Sequence, residues 1–520
     1  METRPEDAAE WHAARRKRRR RGCLAVLLTP VVALALLLAW FGVRMMDSPK
    51  ITRNFTAEFN ERFADLPESE RAWPIYKQAI IFEIEHPKPA TLEQDWPVYP
   101  GWEHWDDATA WLDEVRPALD LVRQASRIEV LGKPLSDAPD PDIAAAQAKA
   151  NGVAVVAEVP TENPMVIYVL LPELGKFRKF AQSLVVDAFR EAETGNGSAA
   201  VDDMETMLHI AAHSSASETI IGQLVQIAIE NLASKTMLRL IDQYPGVFSA
   251  DDLARAQDAF LHIGRKAHAD EPGLARVTLD LSMERAFFED LIQRVYSDDG
   301  HGSGHMTLEG LKTVSTVGFL TASSGSAGSQ DIALLVLSAP RRNIIAKYDE
   351  FMDAFEAAAL MNPWERGDQI DELDAGVEQL RSNWLDQSRY LLLSLVLPAI
   401  NRAIVNLDLA NAQRDATIEA IALHRYRLDH GNFPASLSDL VPEYLPRLAF
   451  DPVDGQPLRY VLGDSGPILY SLGADGDDDG GVDGTLTAKD PRHIEPGSQS
   501  PEDGDWVLYP VGPVEEPAGE

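Results

Sequence analysis

The chain has 520 residues, 45% of them hydrophobic, and a formal net charge of −35. That length exceeds one ordinary domain and predicts two or three, and the acid excess argues against nucleic acid as a partner. The single cysteine, Cys23, excludes an internal disulfide and a cysteine-based metal site.

The first predicted element is a basic tail. Residues 1–22 hold eight Lys/Arg against four Asp/Glu, a net +4 that leaves −39 for the rest. Residues 23–43 follow without a charge, and about 20 apolar residues span a bilayer core as a helix. The basic run 15–21 then predicts an inner (cytoplasmic) membrane protein with one pass through 23–43. Residues 1–22 lie in the cytoplasm and everything after 43 lies outside it. A cleaved signal peptide is the alternative. The apolar run is longer than a signal core, and Arg44-Met45-Met46-Asp47 offers no small-residue cleavage site.

A helical body is expected over 50–385. Amphipathic periodicity marks helices over 108–125, 172–193, 199–214, 218–244, 250–269, 276–295, 341–361 and 369–387. Residues 153–157 and 165–170 read equally as strands or short helices. The turn Thr194-Gly195-Asn196-Gly197 predicts a helical hairpin of the kind that stacks in repeat solenoids, although no period near 34 residues is sustained. Trp96, Trp102, Trp105 and Trp111 cluster in a Pro-rich stretch and are expected to pack on the body, an aromatic ligand platform being the alternative reading.

Candidate chemistry in the body is sparse. His209 and His213 share a helix face at i, i+4, a spacing able to ligate a metal. With Glu205 they define an alternative reading, a membrane-anchored metal-dependent hydrolase. Buried, hydrogen-bonded histidines are the competing expectation. The loop 297–305 carries Asp299, His301, Ser303 and His305 and reads either as a polar surface loop or as a second metal candidate. No phosphate-binding loop, dinucleotide fingerprint or nucleophile elbow occurs, and no catalytic residue is assigned.

Residues 386–512 form the last predicted module, followed by a tail over 513–520. Ile404, Leu407, Ala410, Thr417, Ile418, Ile421 and Leu428 fall at helical spacing. Gly431 can end that helix and Pro434 prevents its continuation. Leu437, Leu440 and Tyr444 suggest a short second helix. Strands are expected at 458–461, 468–471 and 506–509, the first two joined by the turn Gly463-Asp464-Ser465-Gly466. The expectation is an α+β unit with a three-stranded antiparallel sheet on a mainly α chain. The acidic stretch 475–480 fits the first half of a calcium loop: Asp475, Asp477 and Asp479 stand at positions 1, 3 and 5, and Gly480 at 6. Asp483 stands at position 9, but Leu486 replaces the usual Glu at 12.

In its order this segment resembles the globular end of the major pseudopilin of type II secretion. The residues that carry the resemblance are Tyr426-Arg427-Leu428-Asp429-His430-Gly431-Asn432-Phe433-Pro434, Asp451-Pro452 and Tyr470-Ser471-Leu472-Gly473-Ala474-Asp475-Gly476. The resemblance implies calcium held by a backbone carbonyl near Leu472, Asp475 and a later aspartate, Asp483 or Asp505; with Asp477 and Asp479 from the loop spacing these are the candidate calcium ligands. The resemblance also implies protein partners drawn from a secretion or pilus-like assembly. Leu27 stands where a pilin-type leader places Glu, five residues after Gly22.

Overall fold

The computed structural model describes residues 46–93, 96–155, 159–169, 171–264, 276–316, 337–473, 476–482, 504–512 and 514, with isolated positions between 32 and 42. The basic tail, nearly all of the expected span 23–43 and most of the tail after 512 lie outside the described residues. Among the described residues no helix is long and apolar enough to cross a membrane.

The chain is mainly helical, with one small sheet. The longer helices are α1 (Phe55–Glu61), α2 (Trp73–Glu85), α3 (Trp105–Ser126), α4 (Pro141–Ala150), α5 (Pro172–Glu193), α6 (Gly197–Ser214), α7 (Ile220–Gln243), α8 (Ala250–His262), α9 (Ser282–Val295), α10 (Leu308–Thr316), α11 (Arg341–Leu360), α12 (Gln369–Ser382) and α13 (Pro398–His430). Strands β1 (Arg459–Gly463), β2 (Gly466–Ser471) and β3 (Trp506–Tyr509) form an antiparallel sheet in that order.

The chain divides into two compact units. One comprises Met1–Thr52, Leu291–Tyr348 and Leu380–Leu395; the other comprises Arg53–Asp290, Asp349–Gln379 and Val396–Glu520. These units are discontinuous in sequence.

The larger unit is organised by α5, α6 and α7, which pack on one another, with α3 against α5 and α6. The turn between α5 and α6 is the expected hairpin. Gly195 takes φ +81, and the Asn196 side chain caps α6 by accepting from Ala199 N. Gly197 lies so close to the Val247 carbonyl that a Cβ would sit 2.6 Å from its oxygen. Ion pairs lock the same helices. Arg123 of α3 reaches Asp203 of α6 at 2.6 Å and Asp187 of α5 at 2.5 Å, with both carboxylates buried. Burial pushes Asp203 well above the usual carboxylate range, and the Arg123 guanidinium opposes that.

Helix α13 joins this core rather than standing apart from it. It packs against α7 and α8. Ile418, Ile421 and Leu423 belong to the same buried cluster as Leu184, Met207, Leu238 and Phe260, and so do Leu469 and Leu508 of the sheet. Arg414, 1% exposed, pairs with buried Glu230 at 2.7 Å and donates to the carbonyls of Phe260 and Ile263 at 2.7 and 2.5 Å. Those carbonyls are left over at the end of α8, so the guanidinium both neutralises Glu230 and caps a helix.

Three expected helices are shorter than the periodicity suggests, and the one over 369–387 stops at Ser382, where Asn383 caps a separate short helix, Trp384–Arg389. The one expected over 250–269 ends at His262, where Ile263 turns extended and Gly264 adopts φ +72. The one expected over 276–295 begins only at Ser282, because Val277 exchanges backbone hydrogen bonds with the Asn411 side chain. The ambiguous stretch 165–170 holds a single 3-10 turn, Val166–Tyr168.

In the smaller unit the loop 297–305 is closed by an isolated bridge between Tyr296 and Met306 and by Ser297 N donating to the His305 carbonyl. Asp299 Oδ1 accepts from His301 N and Ser303 N, which shapes the loop from within.

Candidate functional site

The C-terminal module is built from the end of α13 outward. Gly431 ends the helix at φ +78, with its N–H donating to the Arg427 carbonyl at 2.8 Å. Tyr426 stacks on His430 with ring centroids 4.0 Å apart. Tyr444 donates its hydroxyl to Asp429 at 2.7 Å, and Tyr460 donates to the Pro434 carbonyl at 2.8 Å. The short helix expected near 437–444 is a 3-10 turn, Leu437–Leu440, closed by a capping box of Ser436 and Asp439.

The strands lie where alternation and turn residues place them. Gly463 faces Gly466 across the two-residue turn Asp464-Ser465, and β1 pairs with β2 through Arg459↔Tyr470. Strand β2 then pairs with β3, with an irregularity between Leu469 and Tyr470.

Asp451 is the hub of this module, a role its place in an Asp-Pro turn did not reveal. It is fully buried and accepts from Ser471 Oγ at 2.8 Å, Leu472 N at 3.0 Å, Val453 N at 2.8 Å and Arg459 Nη1 at 2.7 Å. One carboxylate thereby fixes the turn after 450, the end of β2 and the start of the acidic loop.

Glu419 is a second carboxyl that sequence reasoning passed over. It sits on α13 with 0% exposure, and one oxygen accepts from Ala449 N at 2.7 Å. The other oxygen has no hydrogen-bond partner among the described residues. Burial, reinforced by the charge of Asp415, pushes its pKa up to about 8. The only hint in the sequence was a carboxyl inside the apolar run Ile418-Glu419-Ala420-Ile421. Five residues on, His424 is buried and hydrogen-bonded to the Tyr509 hydroxyl at 2.7 Å, and burial lowers its pKa to about 3. It is neutral at ordinary pH.

Of the five candidate calcium carboxylates, Asp475 and Asp483 lie outside the described residues. Asp477 and Asp479 are exposed on the turn, while Asp505 is buried at the foot of β3 and accepts from Gly481 N at 2.7 Å. The neighbouring Asp478 takes the Tyr470 hydroxyl at 2.9 Å and Gly480 N at 3.0 Å. Gly473 has φ +71, and a Cβ there would sit 2.7 Å from the Gly504 carbonyl, so the loop's two stems approach backbone to backbone. Among the described residues no group of three or more His, Cys, Asp or Glu converges as a metal site would require. Asp477, Asp479 and Asp505 alone do not make one.

Of the histidine pair, His209 is half-buried and His213 is placed as a packing group. His213 Nδ1 is 2.9 Å from the buried Tyr76 hydroxyl, and its Nε2 is 2.9 Å from the Ile128 carbonyl. Both ring nitrogens are therefore engaged, and burial lowers the pKa to about 4. Glu205 faces Arg255 at 3.1 Å. The i, i+4 pair with His209 thus has no ligand to offer a metal through His213. In the smaller unit His305 lies against Ser297 and Asp47.

The tryptophans pack as expected. Trp96 meets Trp111 edge-on, Tyr99 meets Trp102, and Trp105 donates to Glu193 at 3.1 Å.

Comparison with protein-family profiles, with curated proteins and with solved structures yields no match.

Proposed function

We propose that this chain is a structural or interaction protein anchored in the cytoplasmic membrane by a single N-terminal span. In this reading an extracytoplasmic, mainly helical body ends in a pseudopilin-like module that docks onto protein partners of a secretion or pilus-like assembly. The observation that carries the reading is the order of parts from 398 to 509. A long helix stops on a left-handed glycine, an Asp-Pro turn follows, and an antiparallel strand pair leads into an acidic loop closed by a third strand. That is the order of the pseudopilin globular end. The basic run ahead of the uncharged residues 23–43 supports the orientation.

Calcium on the acidic loop belongs to the same proposal. The described part of the loop supplies the exposed carboxylates Asp477 and Asp479, too few for a calcium ion, so Asp475 and Asp483 would complete the set.

Alkaline phosphatase fused after residue 60 tests the topology. Activity outside the cytoplasm is expected, and an inactive fusion that still inserts into membranes overturns the orientation. For the loop, thermal melting of the full chain in detergent is compared in calcium and in chelator. Calcium at a hundredfold excess over its dissociation constant adds about 2.7 kcal/mol. Equal midpoints remove calcium from the proposal.

A further inference from the structure

A cavity in the helical body has the make-up of a ligand site. After α2 the chain runs His86-Pro87-Lys88-Pro89, and the two prolines hold φ fixed on either side of Lys88. The Lys88 ammonium lies 4.6 Å from the centroid of the Trp96 ring. Trp96 in turn meets buried Trp111 of α3, with centroids 5.2 Å apart. From the other side α5 brings Lys176 and Lys179, one turn apart and so on one face. These side chains border a cavity of about 170 Å³.

Its charges are unbalanced. Lys176 is neutralised by Glu83 at 2.8 Å. Lys88 and Lys179 have no carboxylate within ion-pair distance among the described residues. Burial and the proximity of Lys179 lower the Lys88 pKa below the usual ammonium value, and Glu93 and Glu83 only partly offset that. Three lysines face two carboxylates, Glu83 and Glu93, around the cavity, so in a chain of net charge −35 this aromatic-walled spot carries a cationic excess that is the reverse of the chain's balance. An anion between Lys88 and Lys179 relieves their mutual repulsion and gains charge-assisted hydrogen bonds. The size fits a single ring, since a cavity of about 150 Å³ takes up benzene.

We propose that this cavity binds a small organic carboxylate carried on one ring. The ring lies against Trp96 and Trp111, and the carboxylate lies on Lys88 and Lys179. Both an aromatic acid and a sugar acid have this chemistry.

Titration calorimetry on the full chain in detergent, with benzoate, glucuronate and neutral benzamide as probes, tests the proposal. At least one carboxylate is expected to bind saturably and at least tenfold more tightly than benzamide. Lys88→Gln and Lys179→Gln are each expected to weaken it about tenfold with an unchanged melting temperature, because both side chains are partly or fully exposed. Preference for benzoate assigns an aromatic acid, and preference for glucuronate assigns a sugar acid. No saturable binding of either carboxylate, benzamide binding as well as benzoate, or unchanged affinity in both lysine variants overturns the proposal.

Discussion

Replacing Glu419 by Gln should remove a pH dependence of stability that the wild type carries. In the folded chain the carboxyl is fully buried, with one hydrogen bond from Ala449 N, and its pKa is about 8 against an ordinary 4.5. The folded state therefore holds the proton more tightly than the unfolded state. Its contribution is fully present below pH 4.5 and drains as pH rises towards about 8, at about 1.4 kcal/mol per pH unit. Between pH 5 and 8 the loss comes to about 4 kcal/mol, a large part of the 5–15 kcal/mol (roughly) by which a domain is stable. Gln keeps the acceptor for Ala449 N and cannot ionise. Its amide N–H₂ stands where the second oxygen lacked a partner, so the two proteins should be similar near pH 5. The variant should then be the more stable at pH 8.

The assay is urea unfolding of both proteins at pH 5, 6, 7 and 8, followed by far-ultraviolet circular dichroism. The many surface acids titrate alike in both, so the difference between the two curves isolates residue 419. A difference that widens by about 3 to 4 kcal/mol from pH 5 to 8 is expected. Curves that run parallel to within about 0.5 kcal/mol would refute the assignment of a buried neutral carboxyl.

Three further outcomes follow from the packing. Asp451→Ala strands the Leu472 N–H and the buried Ser471 hydroxyl, while Arg459 keeps Asp454, and should cost about 2–4 kcal/mol, read as a lowered melting temperature and as faster amide exchange in β1 and β2; a loss below about 1 kcal/mol would remove its role as hub. Arg414→Met leaves Glu230 buried without its cation and should cost about 3–5 kcal/mol, whereas adding Glu230→Gln should recover part of it in a double-mutant cycle. Gly197→Ala drives a methyl against the Val247 carbonyl and should cost about 1–3 kcal/mol, measured by the urea midpoint; a neutral effect would mean that the turn between α5 and α6 yields.

What the sequence made legible was local. The apolar stripe from Ile404 to Ile421, the stop at Gly431 and the two-residue turn at 464–465 each depend on neighbours within a few positions, and each lies where expected, while Leu428 at the end of the expected stripe is exposed. What it hid was set by partners far away along the chain. Arg414 meets Glu230 across 184 positions, and Asn411 holds Val277 extended across 134, which delays the start of α9. Periodicity cannot report such pairings, because Arg, Asn and Glu on a helix read as solvent-facing until a partner buries them. The lysine-bordered cavity was hidden for the same reason, its walls coming from α2, α3, α5 and a Pro-rich segment. The acidic loop was legible as a cluster of carboxylates, but spacing alone did not separate the buried Asp505, tied to Gly481, from the exposed Asp477, Asp478 and Asp479.

Several polar residues of the C-terminal segment are engaged in contacts within the fold. Arg414 caps α8, Glu419 holds Ala449, His424 holds Tyr509, Asp429 holds Tyr444, and Asp451 gathers Ser471, Leu472 and Arg459. Each contact joins α13 to a different part of the larger unit or closes the module on itself. Substituting these residues therefore perturbs folding first, and a lost interaction in such a variant would not identify a docking surface. In the docking role proposed above, recognition would fall to exposed apolar positions of the segment, such as Leu428 on α13 and Leu462 on β1, which are 44% and 49% exposed. Changing those two to Ser leaves the buried contacts intact, so a partner lost from them alone would mark the surface that docks.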